Sequence, residues 1–296
     1  MSGRKDDFEE LTVSEQSAAQ IDVADSACVS GEVAMTKSGR LLNGNGEHTM
    51  AVSELHKSFG DTAVLRGVSL DFADEAVTTI LGPSGTGKSV LIKHLVGLLE
   101  PDAGEVRVFG QDIWSISEAE RYEIRKKMGV LFQDGALFGS MNIYDNVAFP
   151  LRKHTDMTED AIAEAVMPAM QEVGLEAAMS RYPGELSGGM RKRAGFARAL
   201  VTKPDVVLFD EPDSGLDPVR TSLLCDLILQ VHREHGGTYL LVTHDISTAK
   251  KVSDYVGLIW KGEVVHYSGA EEAFASQDPF VRQFLAGDSA GPLGMD

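Results

Sequence analysis

Residues 82–89 read GPSGTGKS and fit the pattern G-x-x-x-x-G-K-[ST]. Glycines at this spacing let successive backbone N–H groups turn toward one point, a geometry that suits phosphate oxygens. Gly82, Pro83, Ser84, Gly85, Thr86 and Gly87 would form the cradle, and Lys88 would reach the β- and γ-phosphates. The Ser89 hydroxyl would face Mg²⁺, and Val90 would continue into a helix. A Gly-rich turn with a solvated lysine is the plainer alternative. The apolar run VTTIL (77–81) before the loop and a helical pattern over 87–98 after it favour the cradle, because a helix start turns its positive end toward an anion.

Two further stretches carry chemistry. In VVLFDEP (206–212) four apolar residues lead to Asp210 and Glu211 at the expected carboxyl end of a strand, where open α/β sheets bind ligands. Asp210 would complete the Mg²⁺ shell and Glu211 would polarise an attacking water. A solvated strand edge would read the same way without the phosphate loop. His244 closes TYLLVTHD at another strand end. A lone histidine is more often structural, but one aimed the same way as Glu211 can reach a γ-phosphate.

These groups need strands to place them. VTTIL, MGVLF (128–132), VVLFD (206–210), TYLLVT (238–243) and YVGLIW (255–260) are short and apolar, as strands covered on both faces are. With EVRVF (105–109), they alternate with helical patterns, which predicts an α/β fold around a mostly parallel sheet. Order is expected to begin near Met50, with AVSELHKSF as an edge strand. Between Gln133 and Met190 strand signals fade, and TEDAIAEAVMPAMQEVGL (158–175) has helical spacing, so a helical subdomain is expected over about 134–200.

The chain of 296 residues is 43% apolar and carries a net charge of −18, which argues against a partner held by phosphate neutralisation such as a nucleic acid. The first 49 residues hold nine acidic and four basic side chains and almost no aromatics. This predicts a disordered acidic tail over 1–48, either dispensable or a docking arm. Cys28 and Cys225 have no metal-ligand spacing and read as reduced thiols. No signal peptide or apolar run of membrane-spanning length is apparent, so a cytoplasmic protein is expected that meets a membrane only through partners.

LSGGM (186–190) resembles the signature motif of ATP-binding-cassette (ABC) ATPases, and the other motifs stand in that family's order. The resemblance covers residues 50 to about 270. It implies a P-loop NTPase core with an added antiparallel β subdomain, over a cassette of 49–284 and a C-terminal tail of 285–296. It implies that Phe59 in HKSFG stacks on adenine and that Gln133 in LFQD contacts Mg²⁺ and the reacting water. It also places Asp217 of SGLD (214–217) at the nucleotide and makes His244 the switch histidine. Two such cassettes pair head to tail. Ser187 and the Gly188 and Gly189 amides would then cap the γ-phosphate held by the other copy.

FQDGALFGSMNIYDNVAFPLR (132–152), RYPGELSGGMRKRAGFARAL (181–200) and DEPDSGLDPVR (210–220) are similar to the ATPases of Mla- and Mce-type lipid importers. The closing residues are similar to actinobacterial Mce-associated ATPases. That implies an ATPase at the cytoplasmic face of a bacterial inner membrane, working with permease subunits and Mce-type lipid-binding proteins. The family's usual glutamine is Met190 here, and its commoner tyrosine is Phe59. ALFGSMNIYDNVAFPL reads as a groove for a permease helix, with internal packing of Phe138 or Tyr144 as the alternative. The basic run Arg191, Lys192 and Arg193 reads as a solvated helix face. A soluble single-cassette ATPase, such as an iron–sulfur assembly factor, or the ATPase of a different permease are the rival readings.

Overall fold

The computed structural model describes residues 48–293. Cys28, the expected acidic tail up to residue 47 and the last three residues of the expected C-terminal tail lie outside that range. The first hairpin joins β1 (Met50–Phe59) to β2 (Thr62–Asp71), and β3 (Val77–Leu81) leads into α1 (Lys88–Leu95). After β4 (Ala103–Val108), β5 (Gln111–Asp112) and α2 (Glu118–Arg125), β6 (Met128–Leu131) opens the helical insert. The insert holds α3 (Ile143–His154), α4 (Glu159–Glu172) and α5 (Gly188–Leu200). The chain then runs through β7 (Val206–Asp210), α6 (Pro218–His235), β8 (Thr238–Thr243), α7 (Ile246–Val252), β9 (Tyr255–Trp260) and β10 (Glu263–Gly269). Two short helices, α8 (Ala270–Ala275) and α9 (Pro279–Ala286), follow.

The main sheet has the order β10-β9-β3-β8-β7-β6, parallel throughout except for the antiparallel β10. Every residue of β3, β7 and β8 is buried, as unbroken apolar runs require: one face is covered by α1 and the second sheet, the other by helices. The chain enters the sheet at β3, crosses to the far edge at β6 and returns through β7 to β8. The carboxyl ends of β3, β7 and β8 therefore lie together, where open α/β sheets bind ligands.

The second sheet, β2-β1-β4-β5, is antiparallel. Two expectations are corrected here. AVSELHKSF is not an edge strand, because β1 pairs with β2 on one side and β4 on the other. EVRVF forms β4 of this sheet and takes no part in the parallel one. The two sheets pack through a shared apolar core in which Leu55, Leu65 and Val106 meet Ile80, Leu208 and Leu240.

The helical insert has its own capping. Asn142 caps α3 through Asp145 N–H, Thr158 caps α4 through Ala161 N–H, and Ser187 caps α5 through Met190 N–H. Fully buried Phe196 on α5 joins the insert to the main sheet, its ring 5.4 Å from that of Phe209, which lies 5.7 Å from that of Tyr239. Beyond residue 284 the chain continues α9 to Ala286 and then returns, so that Leu293 is buried and its N–H donates to Gln283 Oε1 at 2.8 Å. No helix among the described residues is long and apolar enough to cross a membrane.

Candidate active site

The phosphate loop leaves the carboxyl end of β3 and closes on α1. Gly85 and Gly87 take positive φ of 83° and 98°, the left-handed turn that aims backbone N–H groups into the loop. Gly82 is required for a different reason. A Cβ there would sit 2.5 Å from the carbonyl oxygen of Ile259 on β9 and 2.9 Å from Thr86 Oγ1. Thr86 Oγ1 in turn donates to Pro83 O at 2.9 Å and fixes the loop's curvature. A Gly82→Ala substitution must shed roughly 1–3 kcal/mol of overpacking by moving the loop. ATP affinity is therefore expected to fall roughly tenfold. Titration with a fluorescent ATP analogue checks this, and an unchanged affinity would show that the loop tolerates the methyl.

Lys88 is buried, and its ammonium donates to Gly82 O at 2.7 Å and Pro83 O at 2.9 Å. It also lies 3.7 Å from Glu211 Oε1. Burial holds its pKa below the ordinary lysine value, and the nearby Glu211 carboxylate pulls it back up. An anion in the loop would complete the neutralisation. Ser89, in the first turn of α1, donates from Oγ to Asp210 Oδ1 at 2.6 Å. These residues stand 121 positions apart, and only the order β3-β8-β7 brings them together. Burial raises the Asp210 pKa, the Ser89 hydrogen bond opposes that, and the Glu211 charge reinforces it. A carboxylate beside a hydroxyl in this setting is a pair of hard oxygen donors poised for a cation.

Glu211 follows directly after β7 with a φ of 46°, a conformation unusual for a residue with a Cβ and often found where function requires strain. Its N–H donates to Val242 O at 2.9 Å. This turn carries the side chain over the phosphate loop, where Oε1 also lies 3.6 Å from His244 Nδ1. His244 is half exposed, as a group that must meet a ligand would be. Gln133, just beyond β6, donates from Nε2 to Ser214 Oγ at 3.2 Å, next to the segment that follows Glu211.

The remaining predicted residues fall into two groups. Phe59 ends β1 with its ring half exposed and the Lys57 ammonium 5.9 Å from the ring centroid. The same sheet touches the phosphate loop, since a Cβ on Gly87 would meet Leu65 Cδ2 at 2.6 Å. Ser187 is the N-cap of α5, and Gly188 and Gly189 form its first turn. A Cβ on Gly189 would meet Leu216 at 3.6 Å and Arg220 at 3.7 Å. Asp217 caps α6, accepting from the Val219 and Arg220 N–H groups, so it neighbours Gly189. Met190 is half-buried against the core of the insert, where with Leu216 and Leu223 it lines a groove of about 520 Å³ between α4, α5 and α6.

The basic run is corrected. Arg191 donates to Leu186 O, Arg193 to Val173 O, and buried Lys192 to the carbonyls of Glu211 and Ser214. These side chains hold loop ends and do not form a solvated face. Asn146 is a residue that the sequence pattern does not single out. It is fully buried on α3 and holds residues 138–142 by accepting from Phe138 N–H and donating to three carbonyls. Its sequence signal, one asparagine inside a helical pattern, is weak. Phe138 stays exposed with its ring 4.8 Å from that of Phe149, whereas Tyr144 packs against the core of the insert.

Comparison with known proteins decides the family. Residues 65–214 match the family described as ABC transporter. The chain is 50% identical over 258 residues to the "Probable ribonucleotide transport ATP-binding protein mkl" of Mycobacterium leprae, covering 86% of this chain and 74% of that one. The chain belongs to the ABC transporter family.

It is also 40% identical over 247 residues to the intermembrane phospholipid transport system ATP-binding protein MlaF of Haemophilus influenzae, covering 83% of this chain and 94% of that one. Among solved structures, cbiO1 of Clostridium perfringens, part of the ABC transporter complex cbiONQ, superposes with a TM-score of 0.71 at 31% identity. That match covers 78% of this chain and 92% of the other. The cassette MJ0796, in a dimeric post-hydrolysis state bound to ADP and phosphate, matches with a TM-score of 0.70 at 27% identity, over 75% and 98% of the two chains. As an ABC cassette the protein is an ATP-binding ATPase.

Proposed function

We propose that this ABC ATPase pairs head to tail with a second copy around two ATPs and powers a separate membrane permease that imports lipid. The observation that carries the catalytic reading is the convergence of Lys88 Nζ and His244 Nδ1 on one carboxylate oxygen of Glu211, at 3.7 and 3.6 Å. In this reading Lys88 and the loop amides hold the phosphates, and Phe59 supports the adenine ring. Glu211 takes the proton from the attacking water while His244 steadies the γ-phosphate.

The residues fit Mg²⁺. Ser89 Oγ and Asp210 Oδ1 lie together, and Gln133 commits its amide nitrogen to Ser214, leaving the amide oxygen as the atom it offers. When bound there, Mg²⁺ supplies positive charge to the phosphate oxygens. The chain's own part is to hold that oxygen set at the carboxyl ends of β3 and β7.

Gly189 lies beside Leu216 and Arg220, which flank Asp217 in the chain. In the proposed dimer the start of α5 meets the nucleotide of the other copy, its amides and dipole favouring the γ-phosphate. ATP binding closes the pair, hydrolysis reopens it, and closure shifts the permease between conformations. The protein would then sit at the cytoplasmic face of the inner membrane, attached through permease and Mce-type lipid-binding partners and without nucleic acid.

The lipid class rests on the Mla- and Mce-like motifs and on the similarity to a phospholipid-transport ATPase along 94% of that protein. A ribonucleotide cargo is the second reading, favoured by the name of the mycobacterial relative. Affinity purification from detergent-solubilised membranes, followed by lipid and nucleotide analysis, separates them. Co-purification of a permease with Mce-type proteins and lipid is expected. Recovery of scaffold proteins without a permease would contradict the transport reading.

A further inference from the structure

Lys192 is a cation inside the protein, and among the described residues no carboxylate is hydrogen-bonded to it. It lies on α5 one turn after Gly188, and only 5% of its surface is exposed. Its ammonium donates to Glu211 O at 3.4 Å and to Ser214 O. The nearest acidic groups, Asp213, Asp134 and Glu211, act on it through space, and burial lowers its pKa. A desolvated ammonium is strongly held by carbonyl dipoles, so these two bonds fix the peptide groups that follow Glu211 and Ser214.

Those peptides belong to a segment that needs holding. Glu211 has a φ of 46°, which local sterics disfavour for an L-residue. Three ties over-determine the segment. Glu211 N–H is bonded to Val242 O, Asp213 Oδ2 accepts from Thr243 Oγ1 at 2.6 Å, and Lys192 binds the carbonyls at positions 211 and 214. The first two ties come from β8, the strand that leads to His244. The third comes from the helix that opens with Ser187 and the two glycines.

We propose that Lys192 is the positioning residue for Glu211: by gripping the Glu211 and Ser214 carbonyls it holds the strained turn that aims the Glu211 carboxylate at the reaction centre. The inference rests on the proposed role of Glu211 as base. It also means that the start of α5, which meets the partner's nucleotide in the proposed dimer, is mechanically joined to the base of this chain's own site. A shift of α5 would re-aim Glu211.

The test measures kcat, KM and equilibrium ATP affinity in full-length Lys192→Met, Lys192→Gln and Lys192→Arg, with folding checked by circular dichroism. A misaimed base costs turnover and leaves nucleotide binding intact. Lys192→Met is therefore expected to lose roughly 10- to 100-fold in kcat, with ATP affinity within about threefold of wild type. Lys192→Arg, which keeps charged donors for both carbonyls, is expected to recover most of that loss, and Lys192→Gln to fall between. Turnover within about threefold of wild type in Lys192→Met overturns the inference, as does a parallel loss of kcat and ATP affinity in a folded variant. If Lys192→Met does not fold, Lys192→Gln decides by the same criteria. Failure of both to fold would assign Lys192 to the stability of the insert and overturn the positioning role. Glu211→Gln assayed alongside separates the two levels. Undiminished turnover there removes the base assignment, whereas slow Glu211→Gln with fast Lys192→Met removes this inference alone.

Discussion

Glu211→Gln is expected to bind ATP with near wild-type affinity and to hydrolyse it roughly 100- to 10,000-fold more slowly, the range that loss of a general base produces. Gln is isosteric with Glu, so the left-handed turn at position 211 and its bond to Val242 O are retained. What disappears is the charge and basicity of the carboxylate whose Oε1 lies 3.7 Å from the Lys88 ammonium and 3.6 Å from His244. Ground-state binding depends instead on the loop amides and Lys88, which the change leaves in place. The effect should therefore appear in kcat and spare the dissociation constant, readable in a steady-state phosphate-release assay beside an ATP titration. Full turnover by this variant would remove Glu211 from the chemistry.

Lys88→Ala should fail earlier, at binding. The Lys88 ammonium is buried against the Gly82 and Pro83 carbonyls inside the loop and is the cation placed to meet the β- and γ-phosphates. Truncating one partner of a buried charge-assisted contact costs about 3 kcal/mol or more. ATP affinity is then expected to drop by roughly 100-fold. Some folded-state stability is expected to go with it, because the Gly82 and Pro83 carbonyls and the Glu211 carboxylate lose their cation. Isothermal titration with ATP together with a thermal melt checks both halves. Wild-type affinity would place the phosphates elsewhere.

The two variants sample the part of the site that was most legible in sequence. The strands VTTIL, VVLFD and TYLLVT are buried along their whole length, and such strands announce themselves as unbroken apolar runs. Their carboxyl ends carry Lys88, Asp210, Glu211 and His244, so reading the strands located these candidate residues. Where burial alternates, the sequence says less. The pattern of β1 shows one covered face but not which strands flank it, and β1 proved to be an inner strand. EVRVF alternates charged and apolar residues, the pattern of a strand with one covered face, and it pairs antiparallel with β1 before the positive-φ turn at Phe109 and Gly110 leads into β5.

The basic run on α5 looks solvated in sequence for a definable reason. Lys and Arg are mostly exposed unless paired, and pairing is normally sought among acids. Here the partners are backbone carbonyls at positions 173, 186, 211 and 214, oxygens that every sequence has and that only the fold brings together. Met190 follows the same logic. It stands in a polar-looking motif, and its packing against the insert becomes visible only once α4, α5 and α6 are assembled.

In the proposed dimer one chain carries half of each ATP site, with Ser187, Gly188 and Gly189 serving the nucleotide of a second copy. Light scattering of Glu211→Gln, with and without Mg²⁺-ATP, tests it most directly when Ser187→Arg is added to the same chain. A mass near the 31.9 kDa of one chain is expected without nucleotide, and about twice that with ATP. With Ser187→Arg added, ATP should still bind and the mass should stay at one chain. A Glu211→Gln protein that remains monomeric at saturating ATP, or one that doubles equally well with Ser187→Arg, would contradict it.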